Sequence, residues 1–196
     1  FVAEVTENGI DNGKDIIEGE PYECPMAPFG GVEQLAWSPD SKTIAYTCRK
    51  KTGVNYAIST DSDIYLYDVA SGSTKNLCKP EGYKAPEINA TKTMKTQAIN
   101  HQQGDLNMGY DTNPLFSPDG KYVAWQSMKN DGYESDRNRL CVYNLATDEK
   151  KYVTEKFDSN VDAFCWNADS KTLYFIGCWH ACVNMYQTNL NGDVRA

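Results

Sequence analysis

The chain has 196 residues, of which 40% are hydrophobic and 12% are aromatic. This content is too high for a disordered chain and is sufficient for one large domain or one piece of a repeat array. Acidic residues outnumber basic ones by 27 to 19, which gives a net charge of −8. No stretch is rich in lysine or arginine, so nucleic acid and anionic membranes are poor candidates for partners. The longest apolar run, 173–179, is too short to cross a bilayer.

Residues 1–20 are interpreted as the end of a repeat unit that precedes three further units. They contain one copy of a recurring pair, an acidic or amide residue followed by an aliphatic one. The pair occurs at Glu4-Val5, Asp68-Val69, Asn144-Leu145 and Asn189-Leu190. Position 1 is Phe, and acidic residues stand where an export signal would have a basic segment and an apolar core. We therefore interpret the sequence as a processed or excised piece, with any export signal outside it.

The strongest signal is a segment that occurs three times, at 35–46, 114–125 and 164–175. Each copy has a large aromatic residue, a turn of the Ser-Pro-Asp type, a lysine, and apolar residues that end in a second aromatic one. The large aromatic residues before the turns are expected to occupy equivalent positions in successive sheets, and Trp166 is expected to lie in the core. The repeat-defining structural residues are predicted to be Trp37, Pro39, Asp40, Phe116, Pro118, Asp119, Trp166 and Asp169.

The first complete unit is predicted at residues 21–78. Pro39 fixes φ at the first central position of a tight turn and Asp40 can hydrogen-bond its own backbone, so the turn reverses the chain between two strands. The strand that follows each such turn is apolar on both faces, which indicates that both faces are covered. Further strands are expected at 64–67 and 74–77.

Residues 79–113 are predicted to be a polar insertion. The chain from Leu77 to Phe116 is much longer than the matching chain from Val153 to Trp166. A long loop in a compact domain is usually functional or disordered, so two roles stay open: contact with a substrate or a neighbouring domain, or simple exposure. A short helix is expected at 91–103, and no stretch outside the insertion has a helical period.

Residues 114–154 and 155–196 are predicted to be two further units with the same strand order. Four short antiparallel strands in each repeat of about 40 to 50 residues, with their faces covered by neighbours, are typical of β-propeller blades. The predicted fold class is all-β: one partial propeller domain, 1–196, of about three and a half four-stranded antiparallel blades.

The aromatic-Ser-Pro-Asp-Gly/Ser-Lys box, followed by an aliphatic-Ala-aromatic strand, resembles the WD40-like propeller repeat of the prolyl oligopeptidase and dipeptidyl peptidase family, and of TolB. Residues 21–37, with Pro28-Phe29-Gly30-Gly31, are similar to bacterial exopeptidases of the prolyl oligopeptidase type. The resemblance implies a non-catalytic propeller domain of a serine peptidase. Such a domain would gate and position short peptide substrates for a separate α/β-hydrolase domain of the same polypeptide. A periplasmic or secreted location is favoured, and a cytoplasmic one stays open.

The sequence itself lacks the catalytic parts of such an enzyme. An α/β-hydrolase needs a Gly-x-Ser-x-Gly elbow, and none of the fourteen glycines is followed two residues later by serine. His101 and His180 are the only histidines, so a Ser-His-Asp triad is not expected. The Glu-Glu pair that holds the substrate amine in the best-known dipeptidyl peptidases is absent, and Asp148-Glu149, its nearest analogue, is interpreted as a hairpin tip. We predict no catalytic residue, no cofactor and no metal.

Seven cysteines are an odd number, so at least one thiol is unpaired in a monomer. The closest pair, Cys178 and Cys182, flanks His180. A zinc ion there would lack a fourth ligand, and a strained disulfide would need an oxidising compartment, so free cysteines are the preferred interpretation. Asp61-Ser-Asp63 has a weak likeness to a calcium loop and is interpreted as carboxylates at a hairpin tip.

Two other functions stay open. A TolB-like periplasmic binding or scaffolding propeller would have no enzyme activity, and a secreted, calcium-stabilised, lectin-like propeller would use the acidic loops. The downstream sequence of the natural gene product would separate these functions. A partial ring also leaves the outer faces of its first and last sheets uncovered, so the isolated chain is expected to self-associate or to be less stable than in its parent.

Overall fold

The computed structural model describes residues 1–83 and 106–196. These residues form three antiparallel sheets, preceded by a two-stranded ribbon of β1 (Val5–Thr6) and β2 (Gly9–Ile10). The first sheet contains β3 (Leu35–Trp37), β4 (Thr43–Cys48), β5 (Asp63–Asp68) and β6 (Thr74–Asn76). The second contains β7 (Asp111–Phe116), β8 (Tyr122–Ser127), β9 (Arg139–Asn144) and β10 (Glu149–Tyr152). The third contains β11 (Ala163–Trp166), β12 (Thr172–Trp179) and β13 (Cys182–Asn189).

Strands that are neighbours in the sequence are also neighbours in each sheet, and every neighbouring pair is antiparallel. This is the all-β arrangement predicted from the repeats. At the place of a fourth strand in the third sheet, Arg195 forms an antiparallel bridge with Gln187 of β13.

Helical structure is limited to two short elements among the described residues. The α-helix α1 (Gly53–Ile58) lies in the connection between β4 and β5, and a 3-10 turn spans Val32–Gln34. α1 was not predicted because six residues are fewer than two helical turns and cannot show a hydrophobic period. No helix in 1–83 or 106–196 is long and apolar enough to cross a membrane. The helix expected at 91–103 and most of the predicted insertion lie outside the described residues.

The Ser-Pro-Asp box folds into a turn that is closed by its own side chains. Ser38 Oγ donates a hydrogen bond to Asp40 Oδ1 at 2.6 Å and accepts one from the Thr43 amide at 2.9 Å. Ser117 and Asp119 make the equivalent bond at 2.7 Å in the second sheet. In the third turn, where asparagine replaces the serine, Asp169 accepts from two backbone amides instead. These bonds explain why the box needs serine and aspartate two residues apart.

The fully buried aromatic residues are those at the end of each repeated segment. Tyr46, Trp125 and Phe175 are at most 1% exposed. Each lies on the face of its sheet that packs against the preceding part of the chain. These three equivalent positions therefore form the aromatic core.

The aromatic residues before the turns do occupy equivalent positions, as the last residues of β3, β7 and β11. Trp166, which was expected in the core, is half-buried and packs against the core cluster of the second and third sheets. Trp37 is 52% exposed because the N-terminal segment covers it only partly, and Phe116 and Trp166 are half-buried between sheets. The Trp166 indole donates to the Leu115 carbonyl on the second sheet at 3.2 Å. Phe116 and Trp166 therefore join neighbouring sheets, whereas Trp37 faces the N-terminal segment.

One face of the third sheet is not covered by any described residue. Ile176 is 42% exposed, and Val183 and Met185 are each 69% exposed. In the first two sheets the equivalent face, which includes Ala45 and Ala124, packs against the sheet that follows. The apolar face is consistent with the expected self-association, which stays a prediction.

Because neighbouring strands are antiparallel, their connections alternate between two ends of the sheets. The hairpin end, as we name it, consists of the short turns at 38–42, 69–73, 117–121, 145–148 and 167–171. The loop end consists of the connections at 49–62, 77–83, 106–110, 128–138, 153–162 and 180–181. Turns of adjacent sheets meet at the hairpin end, where the Asp119 amide donates to Ser170 Oγ at 3.0 Å. Connections of adjacent sheets meet at the loop end, where the Thr60 amide donates to Asp131 at 2.7 Å.

Candidate functional site at the loop end

A cavity of about 650 Å³ lies at the loop end, where the first and second sheets meet. Its walls come from segment 26–34, from the connection that contains α1, from the start of β7, and from the connection between β8 and β9. Pockets of about 300–1,000 Å³ with apolar walls and a few polar groups are typical ligand sites. The residues that line this one are Met26, Ala27, Pro28, Phe29, Gly30, Glu33, Gln34, Arg49, Tyr56, Ala57, Tyr110, Thr112, Asn113, Met128, Glu134 and Asn138.

Segment 26–34 is held in a compact turn by one buried side chain. Gln34 is 6% exposed, and its Oε1 accepts a hydrogen bond from the Met26 amide at 2.7 Å. The Gly30 amide donates to the Met26 carbonyl at 2.7 Å. A Cβ atom on Gly30 would lie 2.5 Å from that carbonyl oxygen, so this close approach requires glycine. The turn leaves Phe29 at the rim of the cavity, 93% exposed.

Arg49 follows β4 directly and brings a positive charge into the cavity wall. It is 8% exposed, and its guanidinium lies 3.8 Å from the centre of the Tyr56 ring. One terminal nitrogen donates to the Ser59 carbonyl at 2.7 Å, while Nε has no hydrogen-bond partner among the described residues. α1 positions the ring, because the Tyr56 hydroxyl donates to the Ala27 carbonyl at 3.0 Å.

Two carboxylates lie at the mouth of the cavity, and both are solvent-exposed. Glu33 accepts a hydrogen bond from the Gly31 amide at 2.7 Å, and the Tyr110 hydroxyl lies 3.5 Å from Glu134. Neither glutamate is ion-paired with a described residue. The cavity therefore combines an apolar wall, one buried cation and two exposed anions, an arrangement that can bind a small polar ligand.

A second group of charged side chains lies in the core of the loop end. Lys79 Nζ contacts Asp63 at 2.7 Å, Asp61 at 3.0 Å and the Asn107 carbonyl at 3.0 Å. Burial lowers the pKa of Lys79, but Asp63 and Asp61 outweigh this effect and hold the pKa well above its usual value. Asp61 and Asp63 are therefore not carboxylates at a hairpin tip, as the sequence suggested: they hold a buried lysine in place.

Asp111 completes this buried group. Its carboxylate accepts a hydrogen bond from the Trp125 indole at 2.7 Å, and burial raises its pKa to about 6 despite the nearby charge of Lys79. Atoms of Asp63, Cys78 and Asp111 lie within 4.8 Å of one another, a grouping that can hold a metal. Lys79 already supplies a positive charge beside Asp63, and this charge opposes the binding of a metal cation there.

The residues singled out in the sequence are distributed over both ends of the sheets. All eight repeat-defining residues are at the hairpin end or at the strand ends next to it, away from the cavity. Cys178 and Cys182 are free thiols near the tip of the β12–β13 hairpin, and Cys178 lies opposite Val183 in the register. His101 lies outside the described residues.

The sequence did not indicate Arg49, Tyr56, Lys79 or Asp111 as functional residues. Arg49, Lys50 and Lys51 directly follow an apolar strand, and this abrupt change in polarity is the one local signal for the site. The partners of Lys79 and Asp111 are far away in the sequence, so no local pattern marks them.

Comparison with known proteins connects this structure to a larger protein. The chain is 46% identical over 196 residues to dipeptidyl-peptidase 5 of Porphyromonas gingivalis and 45% identical to that of Porphyromonas endodontalis. Each match covers all of this chain and 25% of the relative. The chain is homologous to a quarter of dipeptidyl-peptidase 5. The predicted resemblance to the dipeptidyl peptidases is confirmed, and the chain spans about a quarter of the length of the curated relatives it matches.

Solved structures confirm the fold. The β-propeller domain of the Trilobed protease from Pyrococcus furiosus superposes with a TM-score of 0.50 and 16% identity, over 82% of this chain and 40% of that one. At this identity the match shows the architecture alone. The prediction of a partial β-propeller is confirmed. No protein-family model matches the chain.

Proposed function

We propose that the chain is part of the propeller of a larger serine peptidase and that this propeller admits and positions short peptides for a separate α/β-hydrolase domain. The observation that carries the proposal is the 46% identity of the whole chain to one quarter of a dipeptidyl-peptidase 5. The missing Gly-x-Ser-x-Gly elbow supports a non-catalytic role for these residues. The proposed location is the periplasm or the exterior of the cell.

The loop end is the part of the propeller best suited to face a substrate. Its long connections form the cavity beside Arg49, whereas the hairpin end consists of tight turns. Binding residues commonly lie on loops that a rigid scaffold positions. The propeller would therefore supply peptide contacts, and the nucleophile, the base and the oxyanion site would come from the other domain.

The test compares this chain with the natural gene product. We expect the longer protein to hydrolyse dipeptide reporter substrates and to react with a fluorophosphonate at a serine elbow, and we expect the 196-residue chain to do neither. Changing the elbow serine to alanine in the longer protein is the matched control. A gene product without a serine elbow would refute the peptidase proposal and favour a TolB-like binding propeller.

A second measurement tests the admission of substrates. The longer protein should cleave peptides of a few residues and leave a 40-residue peptide with the same N-terminal sequence uncut. Equal rates for the two substrates would contradict a gating role without affecting the assignment as a peptidase.

A further inference from the structure

Arg49 is a buried cation that forms no direct ion pair with a described residue. The described residues form eight ion pairs, and none of them involves Arg49. Its contacts are the Tyr56 ring and the Ser59 carbonyl, both of which are uncharged. A guanidinium carries five N–H donors, and Nε has no partner among the described residues. Buried charges are normally paired, so the guanidinium of Arg49 is suited to bind an anionic group.

The cavity next to Arg49 has room for that anion and for the molecule that carries it. Its volume of about 650 Å³ is in the range of small-ligand sites. Met26, Phe29, Tyr56 and Met128 supply an apolar wall beside the guanidinium. A ligand with a carboxylate close to apolar groups could bind the Arg49 guanidinium and contact the apolar side chains at the same time.

We propose that this cavity is a subsite for the carboxylate group of a short peptide, with Arg49 as the residue that binds it. A carboxylate matches the planar guanidinium through paired hydrogen bonds. This inference rests on the proposed function, because it takes peptides as the ligand class, and it adds the feature of the peptide that is recognised. The carboxylate belongs either to the C-terminus of the peptide or to an acidic side chain.

The two glutamates at the mouth restrict the charge of the ligand. Glu33 and Glu134 are exposed and form no ion pair with a described residue, so they repel an anionic ligand, and this repulsion grows with each negative charge that the ligand carries. A peptide with a single carboxylate is therefore expected to bind, and a peptide with several acidic residues is expected to bind more weakly.

The experiment measures the binding of defined tetrapeptides to the 196-residue chain by isothermal titration calorimetry. All three probes are N-acetylated. The first is Ala-Phe-Ala-Ala with a free C-terminal carboxylate, the second is the same peptide with a C-terminal amide, and the third is Ala-Phe-Glu-Ala with a C-terminal amide. We expect the neutral amide to bind about 10- to 100-fold more weakly than a carboxylate peptide, the effect of losing a charged hydrogen bond. The peptide that retains affinity identifies the source of the carboxylate. Equal binding of all three, or binding of none, would overturn the proposal.

Variants assign the effect to Arg49. Arg49→Met should reduce the affinity for the carboxylate peptide to that of the neutral amide, and Arg49→Lys should have an intermediate effect because it keeps the charge and loses the planar fork. Arg195→Met removes the same charge from an exposed residue that does not line the cavity, and it should bind as the wild type does. Unchanged affinity in Arg49→Met would overturn the proposal. If Arg49→Met does not fold, the Arg49→Lys variant and the peptide series decide.

The two proposals fail in different ways. Binding is measured on this chain alone, so it does not depend on a serine elbow in the longer protein. If the longer protein hydrolyses reporter peptides but the affinity of this chain for peptides does not depend on a carboxylate, the subsite is refuted and the peptidase proposal is not affected. Carboxylate-dependent binding together with an inactive longer protein would refute the peptidase proposal and leave a peptide-binding propeller.

Discussion

The hairpin end and the loop end are made by the same strands, but they are stabilised in different ways. At the hairpin end each turn is closed by bonds between residues close in sequence, such as that of Ser38 to Asp40. At the loop end the bonds join distant segments, such as that of Lys79 to the Asn107 carbonyl. The turns at the hairpin end therefore have similar structures in successive sheets, whereas the connections at the loop end differ from one another. Connections that differ between similar sheets are where a propeller can carry a specific site.

The largest expected effect on stability comes from replacing an aromatic core residue. Trp125 is fully buried, and its indole bonds to Asp111 on the loop-end side of the second sheet. Trp125→Ala should lower the free energy of unfolding by about 3–5 kcal/mol, because it opens a cavity and removes the indole donor from a buried carboxylate, which keeps Asn107 as a donor. Urea denaturation followed by circular dichroism measures the change.

Trp37 at the hairpin end provides the matched comparison. It is 52% exposed, so Trp37→Ala should lower the free energy of unfolding by less than about 1.5 kcal/mol. Similar losses for the two variants would show that the aromatic residues before and after the turn contribute equally, in contradiction to the burial seen here.

Two lysines, one at each end of the sheets, are expected to show a smaller difference in their contribution to the free energy of unfolding. Lys79 is a buried partner of Asp61 and Asp63. Lys79→Met leaves Asp63 without its cation, while Asp61 keeps Lys51 as a partner at 2.9 Å. The free energy of unfolding should fall by about 3 kcal/mol. Lys121, whose side chain is 70% exposed, pairs with Asp119 at the hairpin end, and Lys121→Met should change stability by less than about 1 kcal/mol. Equal effects would mean that burial does not distinguish the two ion pairs.

The contrast between the two ends also explains what could be predicted from the sequence. The turn at Pro39 and Asp40 was predicted because its bonds are local, and the strands after the turns were predicted because their apolar faces repeat. The exposure of Trp37 was not predicted, since it depends on how far the N-terminal segment covers the first sheet. The environments of Arg49 and Asp111 were not predicted either, because their neighbours come from segments far apart in the sequence.

The smallest expected effect is a dependence of stability on pH that has opposite signs at the two ends. Burial raises the pKa of Asp111 above its unfolded value of about 3.8, to about 6. The folded state therefore binds this proton more tightly than the unfolded state. The contribution of Asp111 to stability is fully present below about pH 4 and is lost as the pH rises through about 6.

At the hairpin end, burial tends to raise the pKa of Asp119, but hydrogen bonds from Ser117 and from the Lys121 amide outweigh this and lower it. Its contribution to stability is present above about pH 4 and is lost as the pH falls.

The opposite pH dependences of Asp111 and Asp119 can be measured separately by comparing each variant with the wild type at every pH, because the other carboxylates are then common to both proteins. Between pH 4 and pH 7, the stability of the wild type relative to Asp111→Asn should fall by on the order of 2 kcal/mol. Relative to Asp119→Asn, the stability of the wild type should stay constant in that range and fall only below pH 4.

The prediction fails if the stability of the wild type relative to Asp111→Asn does not change between pH 4 and 7. The Asp111 carboxylate is then not held in a buried environment that favours its protonated form, and Lys79 compensates its charge fully. The loop end would then be as insensitive to pH as the hairpin end, because an ion pair that is complete in the folded state stabilises the deprotonated form.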